Sequence, residues 1–232
     1  VKILVQKYYK SGKHMSAIIR VINPNSNAGV TAGMVDALAP LKFPGGPHFD
    51  CITLDKAPEG IESQKDVSKV EPMLAHLIRL DTEASAFIIG CYSDPGLALC
   101  REITDRPVFG IAECAILTAL TRGGSFGVIS ILANSVARHI RHLRERLLHA
   151  HCVGDRALGL TVAETESGKK TFSEMLKIGR ALRDEDGAEV IILGCAGMAK
   201  YRESLQESLG TPVIEPTQAA ASMALGAITF NF

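Results

Sequence analysis

Two short runs decide the fold: Phe-Ile-Ile-Gly-Cys at residues 87–91 and Ile-Ile-Leu-Gly-Cys at residues 191–195. Runs of branched apolar residues bounded by turn-forming residues are typical of strands that are buried on both faces, as in a parallel sheet. Each cysteine follows its strand directly, where a loop leads toward a helix. Open α/β sheets bind their ligands at the carboxyl ends of the strands. The two runs therefore predict an α/β fold in which Cys91 and Cys195 face one cleft.

The segments around the two runs repeat in the same order. Residues 20–26 lead from a strand into a helix ahead of the first run, and residues 127–135 do so ahead of the second. Pro107-Val108 follows Cys91 by sixteen residues, and Pro212-Val213 follows Cys195 by seventeen. We interpret this order as an internal duplication of about a hundred residues; a plain α/β alternation that mimics symmetry is the alternative.

A duplicated chain of this kind predicts two pseudo-symmetric lobes with the active site between them. Each lobe would hold a short, mainly parallel four-stranded sheet flanked by helices. We expect lobe 1 to comprise residues 15–113 plus the closing helix in 216–232, and lobe 2 to comprise residues 114–215. Residues 14 and 15 are His-Met, which a common cloning site leaves ahead of a native start. We expect residues 1–14 to be an expression tag; a native arm with an edge strand at Ile3–Val5 is the alternative.

Three local patterns give further expectations. Ser68 and Glu71 fit a capping box at the start of a helix, with Pro72 in its first turn. The apolar residues 158–162 predict a strand of lobe 2. The basic stretch 138–146 predicts a solvated or subunit-facing side of a helix, with Ile140, Leu143 and Leu147 toward the core.

Composition excludes several classes of protein. The chain of 232 residues is 47% hydrophobic and has a net charge of zero, so it suggests neither a nucleic-acid nor a membrane partner. No apolar run approaches the length of about 20 residues that a membrane span needs. The six cysteines form no Cys-x-x-Cys pair, and no secretory signal precedes them. We expect free thiols in a reducing cytoplasm.

Two thiols on opposite sides of one carbon suit the inversion of a centre with an acidic C–H. One thiolate removes the proton from one face, and the other thiol returns a proton to the opposite face. The reference pKa of a thiol, about 8.5, lies near operating pH, so a thiol can act as base or acid. We expect a helix N-terminus beyond each strand to favour the thiolate, and loop amides to hold the developing enolate oxygen.

The sequence resembles the hydantoin racemase branch of the aspartate/glutamate/hydantoin racemase superfamily. The motifs that carry this resemblance are Asn-Pro-Asn-Ser at 23–26, Cys-Tyr-Ser-Asp-Pro-Gly at 91–96 and Gly-Cys-Ala-Gly-Met at 194–198. The resemblance implies a cofactor-independent isomerase with two α/β lobes, Cys91 and Cys195 as its catalytic pair, and a homo-oligomer, either tetramer or hexamer. It implies a small-molecule substrate, namely a 5-substituted hydantoin or allantoin.

Loop residues near the two thiols are the expected substrate-binding residues, and none is expected to bind metal. These are Asn25, Ser26, Tyr92, Ser93, Asp94, Ser135, Gly194, Ala196 and Gly197.

Three other functions stay open at this point. The amino-acid racemase branch has Asn-Thr after its first cysteine and Thr after its second, where this chain has Tyr92-Ser93 and Ala196. Free aspartate or glutamate is therefore the less favoured substrate. An arylmalonate decarboxylase or maleate isomerase-like enzyme would keep the fold and change the chemistry. A non-catalytic pair of binding lobes would not need the matched cysteines.

Overall fold

The structure, a computed structural model, describes residues 17–168 and 171–230, without the side chains of residues 166 and 167. The predicted tag at 1–14, and the alternative edge strand within it, lie outside the described residues. Two separate four-stranded sheets make up the architecture, and every strand pair is parallel. The prediction of two parallel α/β sheets is confirmed.

The first sheet has the strand order β2-β1-β3-β4. Its strands are β1 Ile18–Asn23, β2 His48–Thr53, β3 Ala84–Ile89 and β4 Val108–Gly110. The helices of this half are α1 Ala28–Leu38, α2 Gln64–Leu80, α3 Leu97–Glu102 and α4 Ile111–Leu120, with a 3-10 turn at Ala39–Leu41.

The second sheet has the order β6-β5-β7-β8, which is the order of the first sheet shifted by four strands. Its strands are β5 Phe126–Ser130, β6 Cys152–Ala157, β7 Val190–Leu193 and β8 Val213–Ile214. The helices are α5 Ala133–Glu145, α6 Val162–Ser167, α7 Thr171–Asp184, α8 Arg202–Leu209 and α9 Pro216–Phe230. Short 3-10 turns lie at His149–His151 and Ala196–Tyr201.

The two Gly-Cys runs form the inner strands that the sequence predicts. Phe87, Ile88 and Ile89 of β3 and all of β7 are fully buried, because both faces of each strand are covered. β3 pairs with β1 and β4, and β7 pairs with β5 and β8, so both cysteines follow strands in equivalent positions of the two sheets.

The closing helix α9 returns to the first half of the chain, where it packs on α1, β3, β4 and α4. The predicted division into lobes, including the place of this helix in lobe 1, stays a prediction.

Two local predictions are wrong. Helix α2 begins at Gln64, because Ser63 accepts the N–H of Asp66 while the Asp66 carboxylate accepts the N–H of Ser63. This capping box replaces the predicted one at Ser68 and Glu71 and leaves Pro72 inside the helix.

The predicted strand at 158–162 does not form; β6 precedes it and ends at Ala157. The chain turns at Gly159, which has φ of +73°. Thr161 then caps α6 through a second capping box with Glu164.

Candidate active site

A small cavity lies where the carboxyl ends of the two sheets meet, and both Cys91 and Cys195 line it. Its volume is about 30 Å³, room for two or three water molecules at about 10–15 Å³ each. Eight of the predicted site residues share this wall: Asn25, Cys91, Tyr92, Ser93, Ser135, Gly194, Cys195 and Ala196. The structure therefore brings most of the predicted site together.

Three predicted residues do not line the cavity. The Ser26 backbone N–H donates to Pro58 O at 3.0 Å, in the loop that leaves β1. Asp94 accepts the backbone N–H groups of Ala112 and Glu113 at 3.0 and 2.9 Å, so its carboxylate serves the first turn of α4. Gly197 lies beside Cys195 without forming part of the wall.

The glycine before each cysteine allows a close approach between neighbouring strand ends. Gly90 donates its N–H to Ile22 O, and Gly194 donates to Ile129 O, both at 2.8 Å. A Cβ on Gly194 would lie 2.7 Å from the same carbonyl oxygen of Ile129. A Cβ on Gly90 would lie 2.5 Å from the Met34 methyl group and 3.0 Å from Ile22 O. The absence of a side chain is thus what lets each cysteine follow its strand so closely.

Burial dominates the chemistry of Cys91. It raises the pKa of the Cys91 thiol to about 12. The backbone N–H of Ser93 and the guanidinium of Arg138 oppose that rise, whereas charge on Cys195 or Asp94 adds to it. Cys91 and Cys195 line the same cavity, so a charge on one thiol opposes ionisation of the other.

The Cys195 thiol has a related environment. Burial raises its pKa to about 11, and the backbone N–H of Gly197 and the Thr165 hydroxyl oppose the rise. Ser93 and Gly197 each stand two residues beyond their cysteine, so the duplication supplies one amide to each sulfur. These amides do not outweigh burial, and both thiols are protonated at neutral pH. From the sequence, a helix N-terminus beyond each strand is expected to favour the thiolate. In the structure α3 begins only at Leu97, and single backbone amides oppose the effect of burial without reversing it.

Asn25 offers a free donor to the cavity. Its Oδ1 atom accepts the Nδ2–H of Asn23 at 3.0 Å and the backbone N–H of Asn27 at 2.9 Å. Asn25 is 5% exposed, and its own Nδ2 has no partner among the described residues. Asn27, which accepts the N–H of Gly29, caps α1. Because Asn27 serves as the cap, the amide of Asn25 is available to a ligand.

Two further residues that sequence reasoning missed, Arg138 and Glu62, join the halves of the site. Arg138 in α5 donates to Glu62 O and to Ser135 Oγ, both at 3.1 Å. The Glu62 carboxylate accepts the backbone N–H of Val162 at 3.0 Å. These contacts join Glu62, which stands just before α2, to α5 and α6 of the second half of the chain. No sequence signal predicts them, because they depend on how the two halves meet.

Helix α5 also corrects an expectation. Arg138 and His139 are 8% and 5% exposed, so this side of the basic stretch is buried rather than solvated. His139 lines the cavity, and its ring packs edge-on against Tyr92 with centroids 4.8 Å apart. Leu143 is in the core as predicted, but Leu147 lies beyond the helix and is exposed.

A second, larger cavity of about 430 Å³ adjoins the first between α3 and α5. The two cavities share the side chains of Tyr92, Ser93 and His139. In the described part of the chain, no three His, Cys, Asp or Glu side chains cluster as metal ligands. None of the helices within 17–168 and 171–230 is long and apolar enough to cross a membrane.

Comparison with known proteins identifies the family of this chain. Residues 19–224 match the Asp/Glu/hydantoin racemase family. A hydantoin racemase from Rhizobium meliloti is 35% identical over 209 residues, which cover 89% of this chain and 86% of that protein. Another, from Paenarthrobacter aurescens, is 33% identical over 223 residues and 92% of each chain. The structure of allantoin racemase from Klebsiella pneumoniae matches with a TM-score of 0.87 at 28% identity, over 94% of this chain and 89% of that one. The chain therefore belongs to the Asp/Glu/hydantoin racemase family and is an isomerase, as the resemblance of its sequence implied.

Proposed function

We propose that this protein racemises 5-substituted hydantoins or allantoin by a two-base mechanism, with Cys91 and Cys195 as the bases and no cofactor. The observation that carries the proposal is the shared cavity: two thiols from equivalent strand ends of different sheets line one space. The hydantoin and allantoin racemases among its relatives support the substrate class. The departures at Tyr92, Ser93 and Ala196 favour this substrate class over free aspartate or glutamate.

Each turnover would pass one proton through each sulfur. The reactive form of the pair has lost one thiol proton to solvent, and it is a minor population at neutral pH because burial raises both pKa values. Its thiolate removes the proton from C5 of the ring, and the electron pair of the C–H bond moves into the adjacent carbonyl to form an enolate. The opposite thiol then donates its proton to the other face of C5 and becomes the thiolate. The enzyme finishes with the protonation states of Cys91 and Cys195 exchanged, and the reverse reaction restores them.

Hydrogen-bond donors around the cavity suit the developing negative charge. The N–H groups of Ser93 and Gly197 lie beside the sulfurs, and the Nδ2–H of Asn25 is unpaired within the described residues. Donors fixed before the reaction stabilise an oxyanion at little reorganisation cost. Because the cavity holds about two or three waters, binding must also widen it, through movement of its wall or of the two halves.

The test uses an enantiopure 5-substituted hydantoin in D₂O, followed by polarimetry and by NMR at C5. We expect loss of optical rotation together with solvent deuterium at C5. Cys91→Ser and Cys195→Ser should each abolish racemisation, because each removes one of the two proton carriers. Cys51→Ser is the matched control, since Cys51 lies in β2 and does not line the cavity. Full racemisation by either site variant would refute the two-base mechanism.

A substrate panel would define the activity further. Benzyl-, methylthioethyl- and isopropyl-hydantoin and allantoin test the preferred class. Aspartate, glutamate, an arylmalonate and maleate test the alternatives that share the fold. Turnover of only the second group would replace the proposed function.

The proposal extends to the state of the protein in the cell. We expect a cytoplasmic homo-oligomer, a tetramer or hexamer, that binds neither nucleic acid nor membranes. The family resemblance and the neutral net charge support this expectation. Light scattering after size-exclusion chromatography measures the subunit count, and a monomer at micromolar concentration would contradict it.

A further inference from the structure

A buried cluster of three polar side chains stands behind the wall of the cavity. Ser130 at the end of β5 is fully buried, and Asp155 in β6 has a side chain that is 3% exposed. Their partner is His139, which comes from α5. The racemisation chemistry of the two thiols makes no use of this cluster. A buried carboxylate is costly unless it is hydrogen-bonded, and Ser130 and His139 supply hydrogen bonds to this one.

Hydrogen bonding fixes the orientation of the His139 ring. Its Nδ1 atom lies 2.8 Å from Asp155 Oδ2 and 3.1 Å from Ser130 Oγ. The Ser130 hydroxyl donates to Asp155 Oδ1. Asp155 and Ser130 thus both lie within hydrogen-bond distance of the same ring nitrogen, and Tyr92 packs against the ring at an interplanar angle of 79°. The ring has little freedom to turn.

The same contacts favour one tautomer. An oxygen of the Asp155 carboxylate accepts a hydrogen bond from Nδ1–H, and Ser130 Oγ, which donates to Asp155, can accept from the same atom. With the single imidazole proton on Nδ1, Nε2 carries a lone pair. Nε2 has no hydrogen-bond partner among the described residues and is not among their buried unpaired atoms, so it keeps contact with open space. The residue forms part of the wall beside both cysteines.

We infer that His139, oriented by Asp155 and Ser130, accepts a hydrogen bond through Nε2 from a ring N–H of the molecule held between Cys91 and Cys195. This inference rests on the proposed function and deepens it. A cyclic ureide carries amide N–H groups beside its reacting carbon and between its carbonyls, and an acceptor in the wall would orient that ring. His139 would therefore select substrates with a free ring N–H, and Asp155 would act as its positioning residue.

The test compares a 5-substituted hydantoin with its N1-methyl and N3-methyl derivatives. In the wild-type enzyme, one of the two methyl derivatives should lose about tenfold to a hundredfold in kcat/KM, the range expected when a buried hydrogen-bonding group is left unpaired. His139→Leu should lose activity on the N–H substrate by a similar factor but little on that methyl derivative. The discrimination, meaning the ratio of kcat/KM between the two substrates, should therefore approach one. His139→Gln keeps a hydrogen-bond acceptor and should retain part of this discrimination.

Asp155→Asn gives an independent test of the tautomer. The amide of the new side chain would donate to Nδ1 and move the ring proton to Nε2, where it would face the substrate N–H. We expect the same loss of discrimination as in His139→Leu, with KM rising more than kcat falls. His142→Gln is the control, because His142 lies one turn further along α5 and lines only the larger cavity. The His142→Gln enzyme should discriminate between the N–H and N-methyl substrates as strongly as the wild type does.

The possible failures are distinguishable. If the wild type racemises no hydantoin, the proposed function fails. If it racemises hydantoins but His139→Leu and Asp155→Asn keep the wild-type discrimination, or lose both substrates equally, this inference fails. Should His139→Leu not fold, as judged by circular dichroism, the Gln and Asn variants decide the matter alone.

Discussion

Gly194→Ala should disable the site by steric displacement alone. The glycine is not in the left-handed backbone region, so alanine is conformationally acceptable there. The obstacle is space: the added Cβ would lie 2.7 Å from Ile129 O, 3.1 Å from Val128 Cγ1 and 3.2 Å from Ser130 Cα. Two of these atoms belong to the backbone of β5, which cannot rotate away as a side chain can.

The magnitude follows from the shift that this crowding requires. Relieving a contact of 2.7 Å means moving β5 and β7 apart by several tenths of an ångström, and overpacking of this kind costs about 1–3 kcal/mol. The same movement displaces Cys195, the next residue. A misplacement of about 1 Å at a reacting group can cost about a hundredfold in rate. We therefore expect kcat to fall by ten- to a hundredfold while the protein still folds.

Two control variants separate the causes. Gly90→Ala meets chiefly the flexible end of Met34, so it should cost less stability and less rate than Gly194→Ala. Gly226→Ala lies in α9 with open space around the added Cβ, and it should stabilise the protein by about 0.5–1 kcal/mol. Urea unfolding and polarimetric kinetics measure both quantities. Wild-type kcat for Gly194→Ala would refute the reasoning.

The remaining predictions concern the thiols and a helix cap. Burial raises the pKa values of Cys91 and Cys195 to about 12 and about 11, so their thiolate fractions should keep rising with pH. The rate of alkylation by iodoacetamide, followed by peptide mass spectrometry, should therefore climb beyond pH 9; a plateau below pH 8.5 would contradict the assignment. Ser63→Ala should lower the free energy of unfolding by about 1 kcal/mol through loss of the α2 cap, whereas Ser68→Ala, exposed within the helix, should not destabilise. Equal effects in urea unfolding would place the cap elsewhere.

Most of the fold was predictable because its decisive strands are apolar throughout. β3 and β7 are inner strands covered on both faces. Their apolar runs are short, rich in branched residues and followed by Gly-Cys, which distinguishes them from buried helix segments. β6 escaped prediction because it is an edge strand with polar residues. Its Arg156 pairs with Asp186 at 2.7 Å, and its Asp155 faces a buried histidine. The apolar residues 158–162, which follow β6, have a more strand-like sequence, but the chain turns at Gly159.

The predictable part of the site lies mainly in short motifs of consecutive residues. The two Gly-Cys runs supply both thiols and the glycines that contact the neighbouring strand. The backbone N–H that lies beside each sulfur comes two residues after each cysteine. His139 was missed because its burial depends on Ser130 and Asp155, which come from two separate strands. In isolation, histidine within an arginine-rich helix indicates a solvated face. Which face of such a helix is buried is decided by tertiary packing, and the local sequence does not record it.

The duplication explains both the symmetry of the proposed reaction and its limits. Each half supplies a cysteine and an amide two residues later, but Arg138 and Asp94 lie near Cys91, whereas Thr165 and Glu62 lie near Cys195. The two thiolates therefore differ in free energy. Enantiomers of a hydantoin have equal free energies in water, so racemisation has an equilibrium constant of one and kcat/KM must be equal in both directions. The unequal surroundings can affect only kcat and KM separately, by changing which thiol carries the charge in each enzyme–substrate complex. A duplicated fold can thus accumulate different residues around its two cysteines without favouring either product at equilibrium.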